Sequence, residues 1–361
     1  MARIIVLGGA GEMGSAAVAD LAERTSHELV VGDVRQVAGV EWRAVDVEDA
    51  VGLRQAIRGF DVVLNATYMR QNVGVTRAAI DVGAALVDLG SYWPETLQQL
   101  EMHDDAVTSG ARIVPGCGVA PGLSNVLARH GADRLDRVDA VRMYSYITHP
   151  MYTSPGIVIT RFDASVGTSL ELVDGRIVER PSFSGEEEVE FPQPYGRQHV
   201  HLVPHPEPVT LPRSFGVRDV VFKVGYPADE NRRISVLLEL GFHLDRPFTV
   251  DGVAVSPRAF AAAYIGSRGI GESEVSANVK RVIVSGSRAG EPAELVYDFA
   301  VEHAGASASS RITGTFAAIC ADLLSAGAAR PGVLPPEQAF DPQQVLAALE
   351  ARGMPVAFSG G

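Results

Sequence analysis

Apolar and polar positions follow a repeating order through the first third of the chain. Short, near-continuous apolar runs fall at 4–7, 29–31, 42–45, 62–64, 86–88 and 112–114. Stretches compatible with helix lie between several of them, at 15–23, 50–57, 73–82 and 94–109. Strands that are apolar on both sides and separated by helices predict a parallel sheet covered on both faces. The middle of the chain changes character. Alternating, strand-like patterns occur at 140–147, 156–165, 169–173, 176–179, 218–224, 280–285 and 294–302, with helical stretches near 234–240 and 257–265. Asp174-Gly175 is a hairpin-turn signal between two of these strands. This predicts a mixed or antiparallel sheet with helices. The end returns to helix at 312–324 and 342–351, around the breaker-rich Pro331-Gly332 and Pro335-Pro336.

The first apolar run leads into Gly9-x-Gly11-x-x-Gly14, then a helix, then a second apolar run closed by Asp33. Each part suits a dinucleotide. Gly9 is expected to permit the tight turn, Gly11 to let the backbone approach a pyrophosphate, and Gly14 to let the helix pack closely. Glu12 and Met13 lie in the glycine turn that leads into the helix, whose N-terminus offers free N–H groups to phosphate. Asp33, 19 residues after Gly14, is placed to bond the ribose hydroxyls and favours NAD. Arg35 follows closely and suits a 2′-phosphate, so NADP stays open.

Composition narrows the partners. The 361 residues are enough for two domains, and 46% hydrophobic with 21% charged residues fits a soluble globular protein. A net charge of −13 argues against nucleic acid and anionic membrane surfaces. No apolar stretch is long enough to span a bilayer. The two cysteines, Cys117 and Cys320, form no disulfide framework or CxxC pair, and no signal-peptide pattern is seen, so a cytoplasmic setting is expected. His199, His201 and His205 have no acidic or cysteine partner at ligand spacing, so no metal site is expected.

Candidate site residues cluster at strand ends, which line the crevice of a doubly wound sheet. Asp46-Val47 is expected to flank the adenine. Asn65-Ala66-Thr67 is expected to pass under the pyrophosphate and nicotinamide ribose. Asp88, Gly90, Ser91, Tyr92 and Trp93 are expected at the nicotinamide end, with Tyr92 and Trp93 walling a substrate pocket. Asp88 and Tyr92 are the candidates for proton relay or ammonium anchoring, with strand-end bracing as the alternative for Asp88. The glycine-rich turn 114–125 offers backbone N–H groups to an anion, with Cys117 and Gly118 near the substrate. Cys117 has no adjacent base, so it reads as packed or pocket-lining rather than nucleophilic. His149 and Arg161 come from the early second domain; Arg161 is a candidate clamp for a substrate carboxylate, with a surface ion pair as the alternative, and His205 a pocket residue.

The segments 9–14, 79–90 (AIDVGAALVDLG), 100–125 (LEMHDDAVTSGARIVPGCGVAPGLSN), the hairpin at Asp174-Gly175, 210–212, 311–314 and 331–337 (PGVLPPE) carry a resemblance. The chain resembles the saccharopine dehydrogenase-like oxidoreductases, and within them most closely lysine 6-dehydrogenase. The resemblance implies an NAD(P)-dependent enzyme acting on C–N bonds of amino-acid-like or imine substrates, a homodimer, and a C-terminal helix returning onto the Rossmann domain. The chain departs from the lysine 6-dehydrogenase pattern at Gly116, where that pattern has an aspartate, after Gly90, and at 199–208.

The expected fold is α/β: a Rossmann doubly wound parallel sheet, residues 1–125 plus 310–361, with an inserted α+β substrate and dimerisation domain, residues 126–309. The expected function is hydride transfer between nicotinamide and an amine or imine carbon. Carbonyl reduction and non-catalytic nucleotide binding are the alternatives.

Overall fold

The structure is a computed structural model describing residues 1–90, 92–148, 154–268 and 274–360; Ser91 and His149 lie outside the described residues. The first part runs β1 (Arg3–Leu7), α1 (Glu12–Arg24), β2 (Glu28–Asp33), β3 (Glu41–Ala44), α2 (Ala50–Ile57), β4 (Val62–Asn65), α3 (Asn72–Val82), β5 (Ala85–Asp88), α4 (Trp93–Glu101), α5 (His103–Ser109) and β6 (Arg112–Val114). The stretch 94–109 is thus two helices, parted at Met102.

The middle runs α6 (Leu123–Ala132), β7 (Arg137–Ile147), α7 (Pro155–Ala164), β8 (Thr168–Val173), β9 (Arg176–Pro181), β10 (Glu187–Phe191), β11 (Gly196–Leu202), α8 (Glu207–Phe215), β12 (Asp219–Gly225), α9 (Ala228–Glu239), a hairpin of β13 (Phe248–Val250) and β14 (Val253–Val255), α10 (Pro257–Gly266), β15 (Val275–Arg288) and β16 (Glu291–Ala304). The chain closes with α11 (Ala308–Ser325), β17 (Gly332–Val333), α12 (Pro336–Ala339), α13 (Pro342–Glu350) and β18 (Ala357–Gly360).

Seven strands form a parallel Rossmann-like sheet in the order β17-β6-β5-β4-β1-β2-β3. The order in which strands are added reverses between β1 and β4, and a crevice opens there beyond the strand ends. The second sheet is mixed. Its spine is β10-β11-β12-β7-β15-β16-β18, with the β8–β9 hairpin attached to β12. That hairpin turns at Asp174 and Gly175, both at positive φ, as the sequence predicts.

The segment 156–165, expected as a strand, is the helix α7. The Ser154 hydroxyl accepts the Ile157 N–H, and Pro155 sits in the first turn, a pairing that starts a helix despite β-branched residues. Its buried side, Val158 and Phe162, packs with Ile234, Ala261 and Ala262.

Helix α11 returns across the first sheet and lies against α1. The approach is close. A Cβ at Gly314 would come 2.6 Å from both the Ala16 Cβ and the Met13 carbonyl oxygen. Among the described residues, no helix is long and apolar enough to cross a membrane.

Candidate active site

The turn after β1 sets the mouth of the crevice. Gly8, not Gly9, takes the left-handed backbone there, at φ 73°. Gly9 is required for space instead, since its Cβ would lie 2.8 Å from the Val31 side chain. A Cβ at Gly14 would come 2.3 Å from the Gly8 carbonyl oxygen, so Gly14 lets α1 start against the turn. Gly11 is the N-cap of α1 and supplies no side-chain cap, which leaves first-turn N–H groups for an anion. The Asp33 carboxylate is buried and accepts the N–H groups of Ala10 and Arg35 at 3.0 and 2.9 Å. The exposed Arg35 guanidinium stands 3.7 Å from it.

A cleft of about 600 Å³ begins at this turn. It is lined by Ala10 to Met13, Arg35, Ala66, Thr67, Gly90 and Gly118, and roofed by α7 through Ile157 and Thr160. These residues fit a dinucleotide: an uncapped helix N-terminus for phosphate, a strand-end aspartate for ribose, and glycines where side chains would fill the cradle. Asn65 stays below the cleft, where its amide oxygen accepts both the N–H and the hydroxyl of Thr67. Asp46 and Val47, expected at the adenine, do not line the cleft. Asp46 caps a turn at the surface by accepting the Glu48 N–H, and Val47 packs against an apolar cluster.

A second cavity, of about 170 Å³, continues from the inner end of the cleft; Met13, Tyr92, Val119, Ala120, Ile157, Thr160, His205 and Thr313 border both. Its floor is one face of the second sheet. Val224, Ser145 and Lys280 stand abreast in register on β12, β7 and β15. Asn278 lies two residues before Lys280, on the same face.

Lys280 is 3% exposed. Its ammonium donates to the Ser145 hydroxyl. Burial pulls its pKa from 10.5 to about 7, against the opposing pull of the Glu207 carboxylate. Glu207 opens α8, is wholly buried, and lies 3.3 Å from Nδ1 of His205. The His205 ring stacks on Phe222, with centroids 3.9 Å apart. Arg161 is 2% exposed on α7. Its guanidinium lies between the Tyr226 and Phe183 rings and donates to Ser165 and Asn231. No carboxylate of the described residues comes within 4.0 Å of it, and its buried Nε has no partner. It is therefore not a surface ion pair.

Three residues expected at the substrate, Asp88, Trp93 and Cys117, serve the scaffold instead. Asp88 reaches neither cavity: one carboxylate oxygen accepts the N–H groups of Gly90 and Gly116, each at 2.8 Å, and the other accepts the Gln99 amide at 2.7 Å. The N–H of Gly116 is thereby taken, and those of Cys117, Gly118 and Gly122 bond Asp88, Pro121 and Asn125, so the glycines expected to cradle an anion already have their N–H groups paired. Cys117 is wholly buried, with its thiol against the Val114 carbonyl and burial raising its pKa. Trp93 donates to the Thr168 carbonyl at 2.8 Å and docks α4 on the second sheet's hairpin. The Tyr92 ring does line both cavities, but its hydroxyl donates to the Thr160 carbonyl at 3.0 Å, and burial holds its pKa well above 10.0. It is poorly placed to relay a proton.

Lys280, Glu207, Asn278 and Tyr226 were not anticipated. One signal was present: the chain has only two lysines, and Lys280 interrupts an apolar strand.

A tie crosses the cleft beside this site. Asp163 of α7 accepts from Arg258 of α10 at 2.7 Å and from the Tyr68 hydroxyl of the β4–α3 loop. Burial and that carboxylate push the Tyr68 pKa up to about 12.

Two family models cover the chain. The saccharopine dehydrogenase NADP binding domain matches residues 4–114, and the saccharopine dehydrogenase C-terminal domain matches residues 118–354. The chain belongs to the saccharopine dehydrogenase family. It is an NAD(P)-binding oxidoreductase of that family. Among solved structures, saccharopine dehydrogenase (L-Glu forming) from Saccharomyces cerevisiae is similar over 100% of both chains, with TM-score 0.75 and 14% identity. Homospermidine synthase from Legionella pneumophila, solved in complex with NAD, is similar over 100% of this chain and 91% of its own, with TM-score 0.72 and 10% identity. At these identities the likeness is one of fold.

Proposed function

We propose that this protein moves hydride between NAD(P) and the nitrogen-bearing carbon of an amino-acid-like substrate. The observation that carries the reading is Arg161, a buried guanidinium with no carboxylate of the described residues within 4.0 Å, in a cavity continuous with the dinucleotide cleft. The buried Glu230 carboxylate acts on Arg161 only from beyond 4.0 Å; a buried cation without a direct partner is costly, and a planar fork suits a ligand carboxylate. Residues 1–125 with 310–361, apart from β18, which joins the second sheet, act as the cofactor-binding unit, and 126–309 supply most of the lining of the substrate cavity.

Bound in the cleft, NAD(P) supplies the hydride acceptor or donor. Asp33 at the ribose position favours NAD over NADP. Arg161 holds the substrate carboxylate and so fixes which carbon faces the cleft. In the oxidative direction the substrate ammonium first loses a proton, because only a free nitrogen lone pair can form the C=N bond as hydride leaves. Lys280, with a pKa of about 7, accepts that proton at Nζ near neutral pH. His205, held through Nδ1 by Glu207, presents its other ring nitrogen to the cavity as a second proton carrier. The apolar walls and the roof of α7 exclude water, which protects the imine from hydrolysis.

The test is cofactor reduction across a panel of amino acids and diamines at mildly alkaline pH, with NAD and NADP in parallel, and the reverse reaction with imines. Amine-dependent reduction of NAD in preference to NADP is expected. Reduction of carbonyl compounds alone, with no turnover of any amine or imine, would defeat the reading.

A further inference from the structure

Among the described residues, two that line the inner cavity each carry a buried polar atom without a partner, and the two atoms are of opposite kind. Arg161 Nε is a donor without an acceptor, and Asn278 Oδ1 is an acceptor without a donor. Asn278 is 1% exposed, and its amide nitrogen is already fixed by the Ser309 hydroxyl at 2.8 Å, so the free oxygen is held in place. Buried groups left unsatisfied are expensive. A carboxylate and an N–H on one small molecule would satisfy both.

The rest of the lining restricts that molecule further. Ile147, Val203, Phe222 and Val224 form an apolar wall. None of the described residues lining the cavity is Asp or Glu. Glu207, the nearest carboxylate to His205, is wholly buried behind it and does not reach the lining. A second ammonium, as on a diamino acid, would therefore find no carboxylate among the described lining residues to pair with directly. Space is short as well. The cavity of about 170 Å³ is close to the ~150 Å³ that encloses a single benzene ring.

We propose that the substrate is a small amino or imino acid with one carboxylate and an uncharged apolar substituent, its carboxylate on Arg161 and its nitrogen on Asn278. This rests on the reading of the inner cavity as the substrate site.

The test separates binding from turnover. Three amino acids with a methyl group in place of the α-hydrogen, isovaline, α-methyllysine and α-methylglutamate, have no α-hydride to give. Their affinities are measured by calorimetry on the NAD-saturated full-length protein. Isovaline is expected to bind at least ~10-fold more tightly than the other two. Arg161→Met and Asn278→Ala should each weaken isovaline by a similar factor while NAD affinity, which reports an intact fold, is unchanged. The wild-type comparison needs no variant. Equal or tighter binding of the lysine or glutamate analogue, or no binding of any of them, overturns the proposal, as does full isovaline affinity in folded Arg161→Met. If isovaline binds as expected but 2-aminobutyrate, its counterpart with an α-hydrogen, gives no hydride transfer, the substrate class stands and the proposed reaction fails.

Discussion

The Glu207 carboxylate lies 3.3 Å from Nδ1 of His205, and this fixes which edge of the imidazole faces the cavity. Stacking of the ring on Phe222 locks its plane. The pair is thus an oriented proton carrier. His205→Asn should lower kcat by ~10²-fold or more with little change in KM, and Glu207→Gln should lower it less, because a carboxamide still orients the ring. Steady-state kinetics on both variants check this. Unchanged kcat in His205→Asn would remove the residue from the chemistry.

Lys280 gives a pH signature. In the oxidative direction it must be neutral to take a proton, so kcat should rise through about pH 7 and then level. Lys280→Met should lose that limb and ~10²-fold or more in kcat. The same group affects stability. Its folded pKa of about 7 lies below the ordinary 10.5, so between those values the unfolded chain holds a proton that the folded protein does not. Stability therefore rises with pH across that window. Thermal melts of Lys280→Met should lack this slope.

Asp88 and Tyr92 should behave as scaffold. Tyr92→Phe removes one hydrogen bond to Thr160 and should cost ~1 kcal/mol of stability, with kcat within about threefold of wild type. Asp88→Asn disturbs the bonds to Gly90, Gly116 and Gln99 and should cost ~1–3 kcal/mol. Melting temperatures and kcat measured together decide it. A hundredfold loss of kcat at unchanged melting temperature would return either residue to the reaction.

Glu337 opposes the fold at neutral pH. It is buried on α12, accepts from Asn125 and Ser214, and burial raises its pKa from 4.5 to about 7. Between those values the folded protein keeps a proton that the unfolded chain releases, so this group's contribution to stability falls as pH rises. Above about 7 the full penalty remains, on the order of 3 kcal/mol. Glu337→Gln should therefore be more stable than wild type at about pH 8, and the two should converge near pH 4. Chemical denaturation at both pH values checks this.

Six of the seven strands of the first sheet were legible because most are apolar runs ending in glycine or a polar residue, a pattern with few competing readings; β17 was not, being two residues inside the breaker-rich loop. Helix α7 was not. Ile157-Val158-Ile159-Thr160 imitates a strand, and only the Ser154 cap and the packing on α10 decide for helix. At the site, Arg161 and His205 could be named because a loop histidine and a lone arginine beside apolar residues draw attention. Asp88 misled, since a strand-end aspartate reads alike whether it faces the crevice or turns back to backbone N–H groups. Lys280 and Asn278 depend on sheet register. Ser145, Val224 and Lys280 come from three distant segments, and nothing local shows that they share a face.

The central claim is that hydride moves at a carbon bearing nitrogen. The most direct test is to supply cofactor deuterated at the transferring position together with the imine of a small apolar 2-oxo acid, and to locate the label by mass spectrometry. The account predicts deuterium on the amine-bearing carbon of the product, and loss of that product in Lys280→Met. Deuterium on a hydroxyl-bearing carbon, or no label in any product, would contradict it.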